Sequence, residues 1–89
     1  MPFEFDAKKS VANKGKHGVD FEEIQGLWDD PQQLEIPART TDGPRTMVIG
    51  NYAGKTWSCV TTQRGENTWI ISARRAREEE VALYESEGS

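Results

Sequence analysis

The chain has 89 residues, a formal net charge of −4 at pH 7 and a hydrophobic content of 35%. This length fits one domain, which we expect over residues 1–89, and excludes a second. A single cysteine excludes an internal disulfide and a thiolate metal site, and without a signal-like leader or an 18-residue apolar run we expect a cytoplasmic protein with no membrane partner.

The net negative charge argues against a general nucleic-acid binder, but the charges are unevenly spread. The basic residues gather in two groups, which are Lys8, Lys9, Lys14 and Lys16 near the start and Arg64, Arg74, Arg75 and Arg77 later. Net charge governs long-range steering, whereas a local basic cleft can still hold a phosphate. Phosphate binding therefore stays open for this acidic chain.

The N-terminal part predicts a short edge strand and then a helix. The strand covers residues 3–5, where apolar and polar residues alternate. Asp6 is a good N-cap for a mostly polar helix over residues 7–17, and Gly18 suits the left-handed position just past its end. The helix therefore ends at a corner that carries His17, the only histidine of the chain.

A second helix is expected directly after this corner, over residues 21–28. Asp20 is its N-cap, and Glu23 can reach back to the Asp20 amide. Its apolar residues repeat at the spacing of one helix face, which predicts that this face packs on the core, and Pro31 stops the helix. The corner thus fixes the angle between two helices.

The rest of the chain predicts strands and a closing helix. A strand over residues 34–37 and a loop over 39–45 come first. Strands over 46–52, 56–63 and 68–74 follow, joined by short turns into an antiparallel meander of three to four strands. In the last strand we expect two faces, one with Trp69, Ile71 and Ala73 and the other with Ile70, Ser72 and Arg74. A helix over 77–87 ends an α+β fold.

Four segments in this order resemble the BrnT toxin family of bacterial type II toxin–antitoxin systems. They are Phe3-Glu4-Phe5-Asp6, with Phe5 where the family usually has tryptophan; Lys9-x3-Asn13-x2-Lys16-His17-Gly18-Val19-x-Phe21-x-Glu23; Trp28-Asp29-Asp30-Pro31; and Ile70-Ile71-Ser72-Ala73-Arg74-Arg75-Ala76. The resemblance implies a small RelE-like α+β fold with two N-terminal helices, a meander and a C-terminal helix. It also implies metal-independent RNA cleavage, with no cofactor, that inhibits growth. The implied partner is a BrnA-like antitoxin of the ribbon-helix-helix type, through which DNA is contacted only indirectly.

Metal-free RNA cleavage needs a proton acceptor, a proton donor and cations around the phosphate. Histidine titrates near neutrality, and arginine binds phosphate in a bidentate manner. The catalytic candidates, expected around one cleft between the first helices and the sheet, are His17, Arg64, Arg74 and Arg75. Simpler interpretations remain: a helix-capping role for the histidine, an ion pair of Arg74 or Arg75 with Glu78 or Glu79, and a solvated turn position for Arg64.

Three further residues are candidates for RNA binding. Lys9 and Lys16 lie seven residues apart and share a helix face, which is otherwise simply a solvated charged face. Tyr84 either packs in the core or offers a hydroxyl to the cleft. Among the tryptophans we expect Trp57, beside a turn, to be the most exposed, and we expect Cys59 to be a small buried group.

The sequence therefore predicts an endoribonuclease toxin that cleaves RNA and is neutralised by its antitoxin. The alternative is a catalytically inactive module that keeps the toxin fold and binds a DNA-binding antitoxin or regulator. The acidic residues 78–80 of the closing helix and the negative net charge support this alternative. A homodimer and a heterotetramer with the antitoxin both stay open.

Overall fold

The structure is a computed structural model that describes residues 2–38 and 43–87. Its elements are, in chain order, β1 (Phe3–Glu4), α1 (Ala7–His17), a 3₁₀ helix (Glu23–Asp29), β2 (Leu34–Ala38), β3 (Arg45–Tyr52), β4 (Lys55–Arg64), β5 (Asn67–Arg75) and α2 (Glu78–Glu87). The α+β class is confirmed, and the predicted elements lie close to the observed bounds. Residues 39–42 of the predicted loop lie outside the described residues.

The strands form one five-stranded sheet in the order β1-β5-β4-β3-β2. Strands β2 to β5 are antiparallel neighbours, so the predicted meander is confirmed, but β1 pairs with β5 in parallel. The sheet is therefore mixed and has five strands rather than three to four. Strand β2 forms one edge of the sheet, where Glu35 and Pro37 are exposed.

Helix α1 begins and ends where the capping residues predict. The Asp6 carboxylate accepts hydrogen bonds from the amides of Lys8 and Lys9, at 2.8 and 3.3 Å. At the other end Gly18 has φ of +89°, and its amide donates to the carbonyl of Lys14. A left-handed glycine that closes the last turn is the usual end of an α-helix. The helix over residues 7–17 is confirmed.

The second helix is a 3₁₀ helix, so the predicted α-helix over residues 21–28 is wrong in type. The capping pair forms as expected: the Glu23 amide donates to the Asp20 carboxylate at 2.7 Å, and Glu23 Oε1 accepts from the Asp20 amide at 3.0 Å. Side chains three apart line up in a 3₁₀ helix, which places the buried Ile24 and Leu27 in one row. The spacing of these residues is compatible with the tighter winding.

The core lies between one face of the sheet and the segment from the corner through the 3₁₀ helix. Its buried residues are Val19, Phe21, Ile24, Leu27, Trp57, Cys59, Ile70 and Ala73. Trp57 is only 5% exposed, so its predicted exposure is wrong, because its ring packs inward and its indole N–H donates to the carbonyl of Tyr52 at 3.0 Å. The burial of Cys59 is confirmed.

A β-bulge in β5 overturns the predicted faces of that strand. Ser72 pairs with Val60 and Ile70 pairs with Thr61, so Ile71 is an extra residue between them. Ile70 and Ala73 consequently both point into the core, although strict alternation predicted opposite faces for them. The bulge thereby sets which way each residue at the end of β5 points.

Candidate active site

The corner after α1 is held against β5 by one buried side chain, Asn13. Its Nδ2 donates to the carbonyls of Val19 and Ala73, at 2.7 and 2.9 Å, and its Oδ1 accepts from the Ala73 amide at 3.3 Å. Ser10 adds a second link, since its hydroxyl accepts from the Phe21 amide at 2.9 Å. These bonds fix the end of α1 beside the end of β5.

This arrangement brings His17 and Arg75 to one open concavity of about 320 Å³, which we name the His17–Arg75 pocket. Arg75 is exposed, and its guanidinium carbon lies 5.7 Å from the centre of the Trp57 ring, close enough for a cation–π contact. Lys55, also exposed, lies on the rim. An imidazole, a guanidinium and an ammonium group thus surround a space large enough for a phosphate.

Arg74, the neighbour of Arg75, lies on the opposite face of the sheet. It forms a bidentate ion pair with the buried Glu80 of α2, with nitrogen–oxygen distances of 2.7 and 2.8 Å. The Ser58 hydroxyl and the Arg77 amide donate to the same carboxylate. Hydrogen bonding from Arg74 is the main cause that lowers the Glu80 pKa to about 2, and the same bond raises the pKa of Arg74. Arg74 therefore anchors α2 and does not line the His17–Arg75 pocket.

Arg64 lies at the far end of the sheet. Its guanidinium carbon is 4.4 Å from the centre of the Trp69 ring. Trp69 and Arg75 are six steps apart along β5, and at about 3.3 Å per step the two positions are about 20 Å apart. The structure therefore does not bring Arg64 to the imidazole, and only Arg75 of the three predicted arginines shares its pocket.

Lys9 and Lys16 line a second concavity, of about 290 Å³, on the other side of His17. We name it the α1 pocket. Both lysines are exposed, and the shared helix face predicted from their spacing is confirmed. The imidazole thus lies between two concavities, one with Arg75 and one with the lysines.

Tyr84 lies outside both concavities that His17 lines. It is half-buried, and its hydroxyl donates to the Asp30 carboxylate at 2.5 Å. Burial alone would raise the pKa of Asp30, but this bond and those from the Asn51 and Gln32 amides lower it. The same bond raises the Tyr84 pKa. Tyr84 therefore joins α2 to the end of the 3₁₀ helix.

A larger concavity of about 950 Å³ lies on the α2 face of the sheet. Its aliphatic lining includes Ile36, Met47 and Val60, and its charged lining comprises Arg45, Arg77 and Glu79 in addition to the Arg74–Glu80 pair. The charges of Arg74 and Glu80 are paired with each other. The larger volume of this concavity is therefore not by itself a sign of an active site. The smaller His17–Arg75 pocket places the imidazole beside an exposed guanidinium and an exposed ammonium group, and it is therefore the candidate active site.

Sequence reasoning missed three residues that build the site. Asn13 was quoted only as part of a motif, although its place four residues before His17 puts it on the same helix face. Lys55 falls between the predicted strands over residues 46–52 and 56–63, and only the strand pairing brings it to the pocket. Glu23 also lines the pocket; its hydrogen bond from Lys14, at 2.8 Å, is the main cause that lowers its pKa.

Residues 2–38 and 43–87 contain neither a metal-binding cluster nor a membrane-spanning helix. Three or more His, Cys, Asp or Glu side chains do not gather anywhere in these ranges as a metal site would require. Among the helices in these ranges, none has the length and apolar character needed to cross a membrane.

Comparison with known proteins gives one family. The family model described as "Ribonuclease toxin, BrnT, of type II toxin-antitoxin system" matches residues 5–80. A search of curated proteins finds no match. The matched range includes the corner and the end of β5, and so both sides of the His17–Arg75 pocket. Because the match covers most of the chain, this protein belongs to the BrnT family of ribonuclease toxins of type II toxin–antitoxin systems.

Proposed function

We propose that this protein cleaves RNA internally, without a metal ion, at the His17–Arg75 pocket, and that it does so in the cytoplasm. The observation that carries the proposal is the juxtaposition of the only imidazole of the chain and an exposed guanidinium in one concavity, in a member of a ribonuclease family. These groups supply what metal-free cleavage needs, which is proton transfer and charge stabilisation at phosphate.

The reaction follows from the RNA itself. The ribose 2′-hydroxyl loses its proton and its oxygen attacks the adjacent phosphorus, while the bond from phosphorus to the 5′-oxygen breaks and that oxygen takes a proton. The products are a 2′,3′-cyclic phosphate and a 5′-hydroxyl end. His17 carries one of the two protons at a ring nitrogen, and Arg75 donates hydrogen bonds to the non-bridging oxygens. With His17 taking the 2′-hydroxyl proton, the Lys55 ammonium gives its proton to the departing 5′-oxygen.

A type II system implies an antitoxin partner, and we propose that it is a BrnA-like ribbon-helix-helix protein. Under this proposal the antitoxin carries the DNA contacts, and RNA is the only nucleic acid that this chain binds directly. Co-expression tests it: a ribbon-helix-helix antitoxin should co-purify with this chain and restore growth. Growth arrest that such a partner does not relieve would contradict it.

The inactive-module alternative rests on the acidic start of α2. That acidity lies away from the proposed site. Glu80 is bound to Arg74 on the opposite face of the sheet, and neither Glu78 nor Glu79 lines the His17–Arg75 pocket. The acidic helix therefore gives no direct reason for the pocket to reject a phosphate, and we favour the active enzyme.

The decisive experiment is cleavage of single-stranded RNA by the purified chain in excess EDTA. We expect products with 2′,3′-cyclic phosphate ends, no cleavage of the all-deoxy strand, and a loss of about 10²-fold or more in rate for His17→Asn. Lys8→Ala, an exposed change on the same helix, is the control for general effects on α1. Cleavage that needs an added metal, or a folded His17→Asn variant with full activity, would overturn the proposal.

A further inference from the structure

Three concavities on the surface join through shared residues. His17 lines both the His17–Arg75 pocket and the α1 pocket. Lys9 lines both the α1 pocket and a further concavity of about 420 Å³, which we name the Arg64 pocket. The three concavities therefore lie next to one another along α1 and the outer part of β5, from Arg75 at one end to Arg64 at the other, and we name this row of concavities the groove.

Two of the three concavities in this groove, the α1 pocket and the Arg64 pocket, have a charge opposite to that of the whole chain. Within the part of the chain that the structure describes, no Asp or Glu lines either the α1 pocket or the Arg64 pocket, whereas Lys9, Lys16 and Arg64 do. The chain as a whole has a net charge of −4. A cationic path on an acidic protein concentrates attraction for a polyanion along one line.

The Arg64 pocket also carries an aromatic surface. The Arg64 guanidinium lies 4.4 Å from the centre of the Trp69 ring, Trp69 is half-buried, and Arg64 is exposed. Aromatic rings and guanidinium planes stack on nucleotide bases of any identity, and a cationic groove follows the backbone. Thr62 and Gln63, which line the same pocket, add polar groups beside this surface.

We propose that the Arg64 pocket is a distal nucleotide-binding subsite for single-stranded RNA, and this rests on the proposed function. The strand would pass His17 and Lys9 and place a base against Trp69 and Arg64. Since Trp69 and Arg75 are about 20 Å apart along β5, the subsite holds a nucleotide several positions from the cleaved bond. Arg64 then contributes to affinity for longer RNA and not to the chemical step.

The test compares substrates of two lengths. A dinucleotide fills only the His17–Arg75 pocket, whereas a 12-nucleotide RNA reaches the Arg64 pocket. We expect Arg64→Ala to lower the ratio of kcat/KM for the 12-mer to that for the dinucleotide by about tenfold, with the loss in KM, because one stacking contact is removed. Lys9→Ala should lower the same ratio, and Lys8→Ala, its exposed neighbour, is the matched control.

A second measurement separates this inference from the proposed cleavage. A fluorescent 2′-O-methyl 12-mer has no attacking hydroxyl, so its binding reports the groove alone, and Arg64→Ala should weaken it about tenfold. If the protein cleaves nothing but this loss is seen, the subsite stands and the cleavage proposal fails. If Arg64→Ala lowers kcat equally for both RNA lengths, or leaves binding of the 12-mer unchanged, the subsite is refuted.

Discussion

The side-chain amide of Asn13 pairs with the backbone of Ala73 in both directions, as the neighbouring residue of another strand would. Its Nδ2 also donates to the Val19 carbonyl at 2.7 Å, so one side chain connects α1, the corner and β5. The bonds are buried, and Asn13 is only 8% exposed. The position of His17 relative to the end of β5 therefore depends on a residue that takes no part in the chemistry.

Replacement of Asn13 should cost more than loss of a surface amide. Asn13→Ala leaves two carbonyls and one amide without their partner, and we expect the free energy of unfolding to fall by about 2–4 kcal/mol. Asn67→Ala, which removes an exposed bond to Glu4, is the control and should cost less than about 1 kcal/mol. Urea unfolding measures both. Equal losses in the two variants would contradict the assigned role.

Replacement by alanine should have opposite effects on stability at the two glycines near the end of α1. Gly18 has φ of +89°, so Gly18→Ala should destabilise the protein by about 1–2 kcal/mol. Gly15 lies inside the helix, and an added Cβ there meets nothing within 4 Å, so Gly15→Ala should stabilise by about 0.5–1 kcal/mol. Thermal unfolding of the two variants tests the pair. A stabilised Gly18→Ala would show that the corner can relax out of its left-handed conformation.

Replacement of the two adjacent arginines should have different effects: one variant should lose activity and the other should lose stability. Arg75→Gln is expected to lower RNA cleavage by about 10²-fold with little change in stability, because its side chain is exposed at the pocket. Arg74→Gln breaks the ion pair with Glu80 and should lower the free energy of unfolding by about 2–4 kcal/mol, while the folded fraction keeps most of its activity. Rates normalised to folded protein distinguish the two. The opposite pattern would place Arg74 at the site.

The ionisation of Glu80 should make the stability of the protein depend on pH. Its pKa falls from 4.5 to about 2 in the folded protein, so the ionised group contributes stability that is present above about pH 4.5 and is lost as the pH falls toward 2. At about 1.4 kcal/mol per pKa unit this contribution is about 3 kcal/mol. Glu80→Gln should remove it, and Glu79→Gln, its exposed neighbour, should not. Denaturant unfolding between pH 2.5 and 7 provides the measurement. If the free energy of unfolding falls equally at acid pH in the wild type and in Glu80→Gln, the assignment is refuted.

The thiol of Cys59 should be inert in the folded protein. It is fully buried, and burial raises its pKa to about 12. Alkylation by iodoacetamide at pH 8 should therefore follow unfolding and accelerate by orders of magnitude in denaturant, because the thiolate is the reacting form. Fast labelling without denaturant would show that the core opens readily.

The helix bounds that the sequence predicts correctly come mostly from the capping residues. Asp6 and Gly18 bound α1 correctly, and the Asp20–Glu23 pair marked the corner, because these signals act within a few residues. The 3₁₀ winding was not predicted, although Phe21, Ile24 and Leu27 show its period of three. A row of three residues at this spacing also fits one face of a short α-helix, so pattern alone does not decide between them.

The candidate site was harder to predict because it depends on contacts distant in sequence. The corner with His17 and the end of β5 with Arg75 meet through Asn13, at the cleft expected between the first helices and the sheet. Arg64 and Arg74 lie away from this pocket. Arg64 is at the other end of the sheet, and Arg74 points to the opposite face of the sheet because neighbouring residues of a strand alternate between faces. The bulge at Ile71 adds a residue that no local pattern indicates, since bulges arise from pairing between strands.

The edges of the sheet limit how another chain can join it. At the β2 edge, Pro37 offers no N–H and Glu35 adds a negative charge, and both features disfavour a further strand. The opposite edge is β1, whose two residues offer little backbone for pairing, and beyond β1 the Asn13 amide occupies backbone groups of β5. Strand addition is therefore disfavoured on both sides. An antitoxin or a second copy would meet side chains on the faces and helices, so recognition would depend on their shape and charge rather than on shared backbone hydrogen bonds.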